Sequence, residues 1–282
     1  MMEFKITKEL ILDLFLPRFC LGCGKEGNYI CDDCQSFLGE TELICPVCEK
    51  HSFFGQRHEK CSSKYQLEGL TNIWEYEGIV KELIYKAKYR GITHPFSEVV
   101  VNVFETILKD KQRFKLFFDF LFSPSAYITY VPMFRKKEKQ RGFNQAHLIA
   151  KEIGKIMEKP VVNLLKKTKD TISQTDLSRE QRIENVEGSF SLRKQFFLNR
   201  FPLTTPYSSP RTAGELAPRL KKSVFSANNK PLDIKTLLSM PKMSVLLVDD
   251  IWTTGATMRE CCRVLKKAGI QKVWGFTLAR TV

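Results

Sequence analysis

A chain of 282 residues with 43% hydrophobic content has material for about two domains, one substantial core and a smaller unit. Its net charge of +14 favours phosphate-bearing partners, RNA and DNA among them, without choosing between them. Nine cysteines would mean disulfides in a small secreted chain, but most of them fall in paired spacings, which points to metal ligation.

The first apolar run, Leu10 to Leu16, is interrupted by Asp13 and preceded by Glu3, Lys5, Lys8 and Glu9. That is too short and too charged for a signal segment or a membrane span, so the expected location is the cytoplasm. Ile6, Leu10 and Leu14 instead predict a short amphipathic helix stopped by Pro17. Next come Cys20-Leu-Gly-Cys23, Cys31-Asp-Asp-Cys34, Cys45-Pro-Val-Cys48 and a lone Cys61. One Cys-x-x-Cys turn can present two thiolates to an ion, and two such turns complete a closed tetrahedral zinc site. Cys20, Cys23, Cys31 and Cys34 make one full set. Cys45, Cys48 and Cys61 need a fourth ligand, and His58, three residues before Cys61, is the first candidate, with His51 competing. Spacing also allows the pairs to interleave, first with third and second with fourth. With so little apolar material between residues 17 and 64, the zinc would be structural and would supply much of the local folding free energy.

From Leu70 the composition changes. Leu70 to Tyr76 reads as a strand, Glu77-Gly78 as a turn, and Val80, Leu83, Ile84 and Ala87 as one face of a helix ending in Lys88-Tyr-Arg-Gly91. Phe96 to Leu121 predicts a long Phe-rich amphipathic helix with a possible break near Asp110. Tyr127 to Val131 predicts a buried strand stopped by Pro132. Residues 133–145 then form a basic loop, entered from that strand's carboxyl end, before a helix to about Met157. Cationic side chains at such an edge can hold a pyrophosphate group.

The polar stretch from Lys166 to Phe190 lacks a continuous apolar face and carries Gln174 and Arg182, which fits a mobile flap. Residues 191–242 hold six prolines and ten Lys or Arg against Glu215 and Asp233, which is +8 of the total +14. Their lack of periodicity predicts a disordered basic insertion at about 193–240. A run of four apolar residues, Val245 to Val248, then reads as a strand buried on both faces and ends in Asp249-Asp250. Thr253-Thr254-Gly255-Ala256-Thr257 follows, just before an amphipathic helix to about Ala268. Two carboxylates can hold sugar hydroxyls, and hydroxyls and amides at a helix start can cradle a phosphate. The stretch is thus a sugar-phosphate site. A Walker loop and a dinucleotide fingerprint are both excluded, since neither glycine pattern is present. Gly269 predicts the end of that helix, Lys272 to Leu278 the last strand, and Cys261 and Cys262 packing positions.

The segment from Val245 to Thr257 resembles the 5-phosphoribosyl-1-pyrophosphate (PRPP) signature of type I phosphoribosyltransferases. Taken in order, the zinc cysteines, Lys88-Tyr-Arg-Gly91, Val131-Pro132, Arg141-Gly-Phe-Asn-Gln145 and this PRPP loop resemble the ComF (ComFC-like) family of competence proteins. The resemblance implies an α/β type I phosphoribosyltransferase fold, a parallel-sheet core with helices on both faces, over residues 65–282, behind a helix and zinc ribbon in residues 1–64. It also implies the roles. Asp249 and Asp250 would orient the ribose, Thr253, Thr254, Gly255, Ala256 and Thr257 would hold the 5-phosphate, Arg141 and Lys88 the pyrophosphate, and Gln174 and Arg182 would belong to the flap. Mg²⁺ would arrive with PRPP, and 5-phosphoribose would pass to a nitrogen acceptor.

One departure narrows the acceptor. The residue three beyond the acidic pair, an aspartate in enzymes that salvage 6-oxopurines, is here Thr253, which argues against hypoxanthine or guanine. Two further readings stay open. One is a non-catalytic DNA-uptake factor that binds single-stranded DNA and a competence helicase through the zinc ribbons and basic loops. The other is regulatory PRPP binding without catalysis.

Overall fold

The computed structural model describes residues 18–90, 93–171, 178–193 and 243–282. The N-terminal helix expected before Pro17, the insertion expected at 193–240 and Gln174 of the flap lie outside the described residues, Arg193 excepted.

Four strands form one parallel sheet: β1 (Gly69–Glu75), β2 (Ala126–Tyr130), β5 (Ser244–Trp252) and β6 (Lys272–Arg280), in the order β1-β6-β5-β2. Two shorter strands, β3 (Leu165–Lys167) and β4 (Phe190–Leu192), pair antiparallel as a separate ribbon. The hydrophobic run of β5 works as its pattern demands. Leu246 and Val248 enter one core with Phe276 and Leu278, while Val245 and Leu247 enter the other with Val273 and Leu265. All four β5 residues are fully buried, each worth about 1.5–3 kcal/mol. A strand apolar on both sides can only be central, and β5 is flanked by β6 and β2.

Helix α1 (Asp32–Gln35) lies in the cysteine-rich segment; the first face of the sheet is covered by helices α2 (Gly78–Arg90), α3 (Thr93–Lys109), α4 (Lys115–Phe122) and α6 (Gln145–Ile156), the second by α8 (Ala256–Lys267). The expected long Phe-rich helix is two helices, α3 and α4, separated at Asp110, whose carboxylate caps the turn by accepting from the Arg113 amide. Phe104, Phe117 and Phe276 form an aromatic cluster beneath them, with centroids 5.7–6.2 Å apart. The basic stretch after β2 is more ordered than a loop. Arg135–Arg141 is a helix, α5, closed by Gly142 in the left-handed conformation (φ 84°), and Asn144 caps α6 by accepting from the His147 amide.

The cysteine-rich segment closes the edge of the sheet. Glu40 bridges Trp74 antiparallel, and the Thr41 amide donates to the Ile73 carbonyl. Farther along, Gln56 bridges Gly69. Unpaired edge groups of β1 are thereby satisfied, which removes a template for aggregation. Ile30 and Leu43 join the first core, Ile44 the second.

Candidate functional site

Parallel strands deliver their following loops to one edge, and here three loops meet there. β5 carries Asp249-Asp250 near its carboxyl end, the segment after β2 carries α5, and β1 leads through Tyr76 into α2, whose last turn holds Lys88. The Lys88 ammonium lies 2.7 Å from Asp250 Oδ2. Burial works against that cation, but the facing Asp250 carboxylate outweighs it and raises the Lys88 pKa. Asp249 is pushed the other way from an ordinary carboxylate. Desolvation and the adjacent Asp250 charge raise its pKa well above the usual range, although the Asp250 amide donates to Asp249 Oδ1 at 2.9 Å. Both effects favour the protonated form of the Asp249 carboxyl.

The loop expected to hold the 5-phosphate turns on Gly255, whose φ of 68° lies in the left-handed region just before α8. Thr254 Oγ1 accepts from the Ala256 amide at 3.4 Å. Thr254, Gly255 and Ala256 are buried, while Thr253 and Thr257 are half-buried at the surface of the turn. Beneath Gly255 lies the Trp252 ring, so close that a Cβ at position 255 would sit 2.2 Å from it. Gly255→Ala thus adds overpacking to backbone strain, together about 2–5 kcal/mol. Thermal melts of the metal-loaded protein should show Tm lowered by roughly 5–15 °C. Gly24→Ala is the control: it has a similar φ of 75° in open space and should lose only about a third of that.

On the opposite wall, Arg141 donates to Gln145 Oε1 at 3.0 Å and lies over the Tyr89 ring, 5.6 Å from its centroid. Tyr89 follows Lys88, so both cations expected at a pyrophosphate stand on one rim. The motif Arg141-Gly-Phe-Asn-Gln145 is thus one small device: α5 stops at Gly142, Asn144 starts α6 and holds the Val131 carbonyl at 3.0 Å, and Gln145 orients the arginine.

The segment expected to form the flap runs between β3 and β4, and within it lies helix α7 (Arg179–Val186), started by a capping box of Ser178 and Gln181. Arg182 is on α7, half-buried, with its Nε buried and unpartnered among the described residues. Periodicity missed two cations here. Lys167 lies over the Phe190 ring, and burial lowers its pKa, with the Lys137 charge adding to the effect and Asp249 opposing it. Lys137 reaches across from α5 to Asp170 at 3.1 Å and to the Thr171 carbonyl at 2.6 Å, tying the basic helix to the segment that follows β3. Neither could be assigned from spacing, because each depends on which strand the ribbon lies against.

The cysteines assemble as two sets: Cys20, Cys23, Cys31 and Cys34, and Cys45, Cys48, His58 and Cys61, with the donor atoms of each set within 4.8 Å of one another. The ligands therefore pair in sequence order and do not interleave. His58 Nδ1 approaches Cys48 Sγ at 3.3 Å, whereas the His51 ring turns to Phe53, and its carbonyl lies 3.0 Å from His58 Nε2. That second contact holds the ring in the ligand orientation. Burial opposes ionisation of Cys20, but amide donors at Cys31, Cys23 and Gly22 outweigh it and hold the thiol down at about 6. Burial and the neighbouring sulfurs push Cys34 up to about 12. Four thiols cannot ionise together without a cation, and Cys₄ and Cys₃His are donor sets that fit zinc. Cys261 and Cys262, fully buried on α8, are packing residues.

No helix among the described residues is long and apolar enough to cross a membrane. Residues 209–280 match the phosphoribosyl transferase domain family model, which takes in β5, the acidic pair, the Thr253–Thr257 turn, α8 and β6. Over nearly the whole chain the sequence is similar to competence proteins. It is 23% identical to competence protein ComFC of Bacillus subtilis over 269 residues, 91% of this chain and 86% of the relative. It is 24% identical to competence protein F of Haemophilus influenzae, covering 93% of this chain and 84% of the relative. A shorter stretch of 50 residues is 44% identical to ComFC of Streptococcus pneumoniae, 22% of that relative. The likeness to ComFC-type competence proteins thus spans about nine-tenths of the chain. Its matched domain and its parallel sheet agree on the phosphoribosyltransferase fold.

Proposed function

We propose that this ComFC-type homologue binds PRPP at the carboxyl edge of its sheet and transfers 5-phosphoribose to a nitrogen acceptor, in the service of DNA uptake. The observation that carries the reading is one geometry: an acidic pair at the end of β5, a left-handed Gly255 turn three residues beyond Trp252, and Lys88 and Arg141 on the facing rim. Asp249 and Asp250 would accept from the ribose hydroxyls. Thr253 to Thr257 would hold the 5-phosphate through hydroxyls and amides at the start of α8. Lys88 would exchange its bond to Asp250 for one to pyrophosphate, and Arg141 would supply a second cation. Mg²⁺ carried with PRPP would neutralise charge on the departing pyrophosphate. Transfer breaks the C1–oxygen bond and forms a C1–nitrogen bond, the electron pair leaving on pyrophosphate. Positioning and charge stabilisation supply the rate, with no covalent nucleophile. Calorimetric titration of PRPP with and without Mg²⁺, followed by pyrophosphate release in mixtures of nitrogen bases, tests it. A folded, metal-loaded protein that binds no PRPP would sink the reading.

A second reading, single-stranded DNA binding, is favoured by one surface. Tyr85 and Tyr89 are 49% and 64% exposed, their centroids 4.8 Å apart and their rings tilted by 45°, and Arg141 lies over Tyr89. Exposed rings within a cationic rim are what unpaired bases stack on. Replacing both tyrosines by alanine should weaken binding of an oligothymidine about tenfold or more at constant salt, measured by fluorescence anisotropy. The slope of affinity against salt should stay the same, because it counts phosphate contacts. An unchanged affinity would remove this surface from the DNA reading.

A further inference from the structure

The two cysteine knuckles are built alike. In the first, the Gly24 amide donates to the Cys20 carbonyl at 2.9 Å and the Cys20 amide to the Lys25 carbonyl at 2.9 Å. In the second, Glu49 donates to Cys45 at 2.9 Å and Cys45 to Lys50 at 2.9 Å. The residue after the second cysteine is left-handed in both, with φ 75° at Gly24 and 60° at Glu49. Glycine adopts that conformation without strain, whereas a glutamate there costs about 1–2 kcal/mol. The first knuckle needs no side chain at this position. The second retains one despite the strain, and its carboxylate is engaged.

Glu49 Oε1 accepts from Arg259 Nη2 at 2.5 Å and from Arg179 Nη2 at 2.8 Å. Arg259 belongs to the first turn of α8. Its Nε donates to the Pro46 carbonyl inside the knuckle at 2.9 Å, its Nη1 donates to the Thr254 carbonyl in the phosphate loop at 2.7 Å, and its guanidinium lies over Trp252, 5.0 Å from the ring centroid. Arg179 is the first residue of α7, in the flap segment. One half-buried carboxylate therefore joins three parts distant in sequence: the second metal knuckle, the phosphate loop and the start of α7.

We infer that Glu49 is a positioning residue that fastens the phosphate loop and α7 to the second metal knuckle, so that the metal-filled knuckle sets the geometry of a site about 200 residues downstream. Its effect on ligand binding rests on the PRPP reading above, but the fastening itself does not. Through this link, filling of the Cys45–Cys48–His58–Cys61 site and binding at Thr253–Thr257 favour one another by the same factor in both directions.

Glu49→Gly tests it, because glycine keeps the knuckle backbone and relieves its strain, as Gly24 does, while deleting the carboxylate. Three quantities are read on the full chain: metal content, global Tm, and amide hydrogen exchange at 253–259 and 179–186 without PRPP. The expected result is full metal content and unchanged or higher Tm, with exchange in both segments at least about fivefold faster. Glu49→Gln, which keeps an acceptor oxygen, should fall between. PRPP affinity should weaken about tenfold in Glu49→Gly, and PRPP should slow removal of the second metal by chelator in the parent alone. Parent-like exchange at 253–259 in a metal-loaded Glu49→Gly protein would overturn the inference. Should Glu49→Gly lose metal, Arg179→Gln reads the same link from the far side, and parent-like exchange at 179–186 there would also overturn it. If PRPP fails to bind the parent while exchange rises in Glu49→Gly, the proposed function falls and the fastening stands.

Discussion

Replacing Asp249 and Asp250 together by asparagine should weaken PRPP binding by a hundredfold or more, because each carboxylate hydrogen bond to a ribose hydroxyl is worth about 1.5–3 kcal/mol. Calorimetric titration reads this directly, and parent-like affinity in the double variant would remove the acidic pair from the site. The single variants should separate in stability. Asp249 has a raised pKa in the folded protein, through burial and the neighbouring Asp250, so the folded state holds its proton more tightly than the unfolded chain does. Stability associated with it is greatest below the ordinary carboxylate range and is lost as pH rises through the raised pKa. Asp249→Asn removes that loss and should raise Tm at neutral pH. Asp250→Asn removes the partner of the Lys88 ammonium, which lies 2.7 Å away and is largely enclosed, and should lower Tm. Melting curves of both single variants between pH 5 and 8 would decide it. Equal shifts of one sign would mean that the two carboxylates share one environment. Opposite shifts with PRPP binding lost in both would describe a site that trades stability for a ligand.

Metal removal should have the second large effect. Residues 18–64 contribute few large apolar side chains to the cores, chiefly Ile30, Leu43 and Ile44, and their turns are organised around the two ligand sets. Metal binding of this kind supplies on the order of 10 kcal/mol to small closed sites. Chelation, or Cys31→Ser at the first set, should therefore unfold this segment and uncover the edge of β1 that Glu40, Thr41 and Gln56 now pair. Circular dichroism should lose little, since most helix and sheet lies elsewhere, while aggregation should rise steeply as the edge is exposed. Metal released on thiol modification should amount to two equivalents per chain, one per set. Full retention of solubility and near-native exchange in β1 after chelation would show that the ribbon folds without metal.

The two sets also show how far spacing reaches. Cys-x-x-Cys announces a pair of ligands anywhere it occurs, because a single tight turn brings both thiolates together. That Cys20 joins Cys34 and Cys45 joins His58 depends on how the turns face one another, which spacing does not encode. β5 was legible for the same local reason: four apolar residues ending in two carboxylates describe a central parallel strand and a ligand edge in any fold. Asp249, Asp250 and the Gly255 turn are consecutive, so their juxtaposition needs no tertiary information. Lys88 and Arg141 came from motif resemblance, and only the sheet order puts them on one rim. Lys167 and Tyr85 carry no local signal, and within their motifs nothing local sets Lys137 or Tyr89 apart, since each acquires its neighbour through packing.

The amino-acid sequence by itself determined the paired-cysteine turns, the buried strand β5, the acidic pair and the Thr253–Thr257 turn, because each is a contiguous segment whose chemistry is set by its own residues. Tertiary structure alone decided that the cysteine-rich segment caps the β1 edge, that His58 rather than His51 completes the second set, and that Glu49 reaches Arg259 and Arg179. Those contacts join residues up to 210 positions apart. Pairings at that range follow from the burial of two apolar sheet faces and the covering of an open edge, and no local pattern records them.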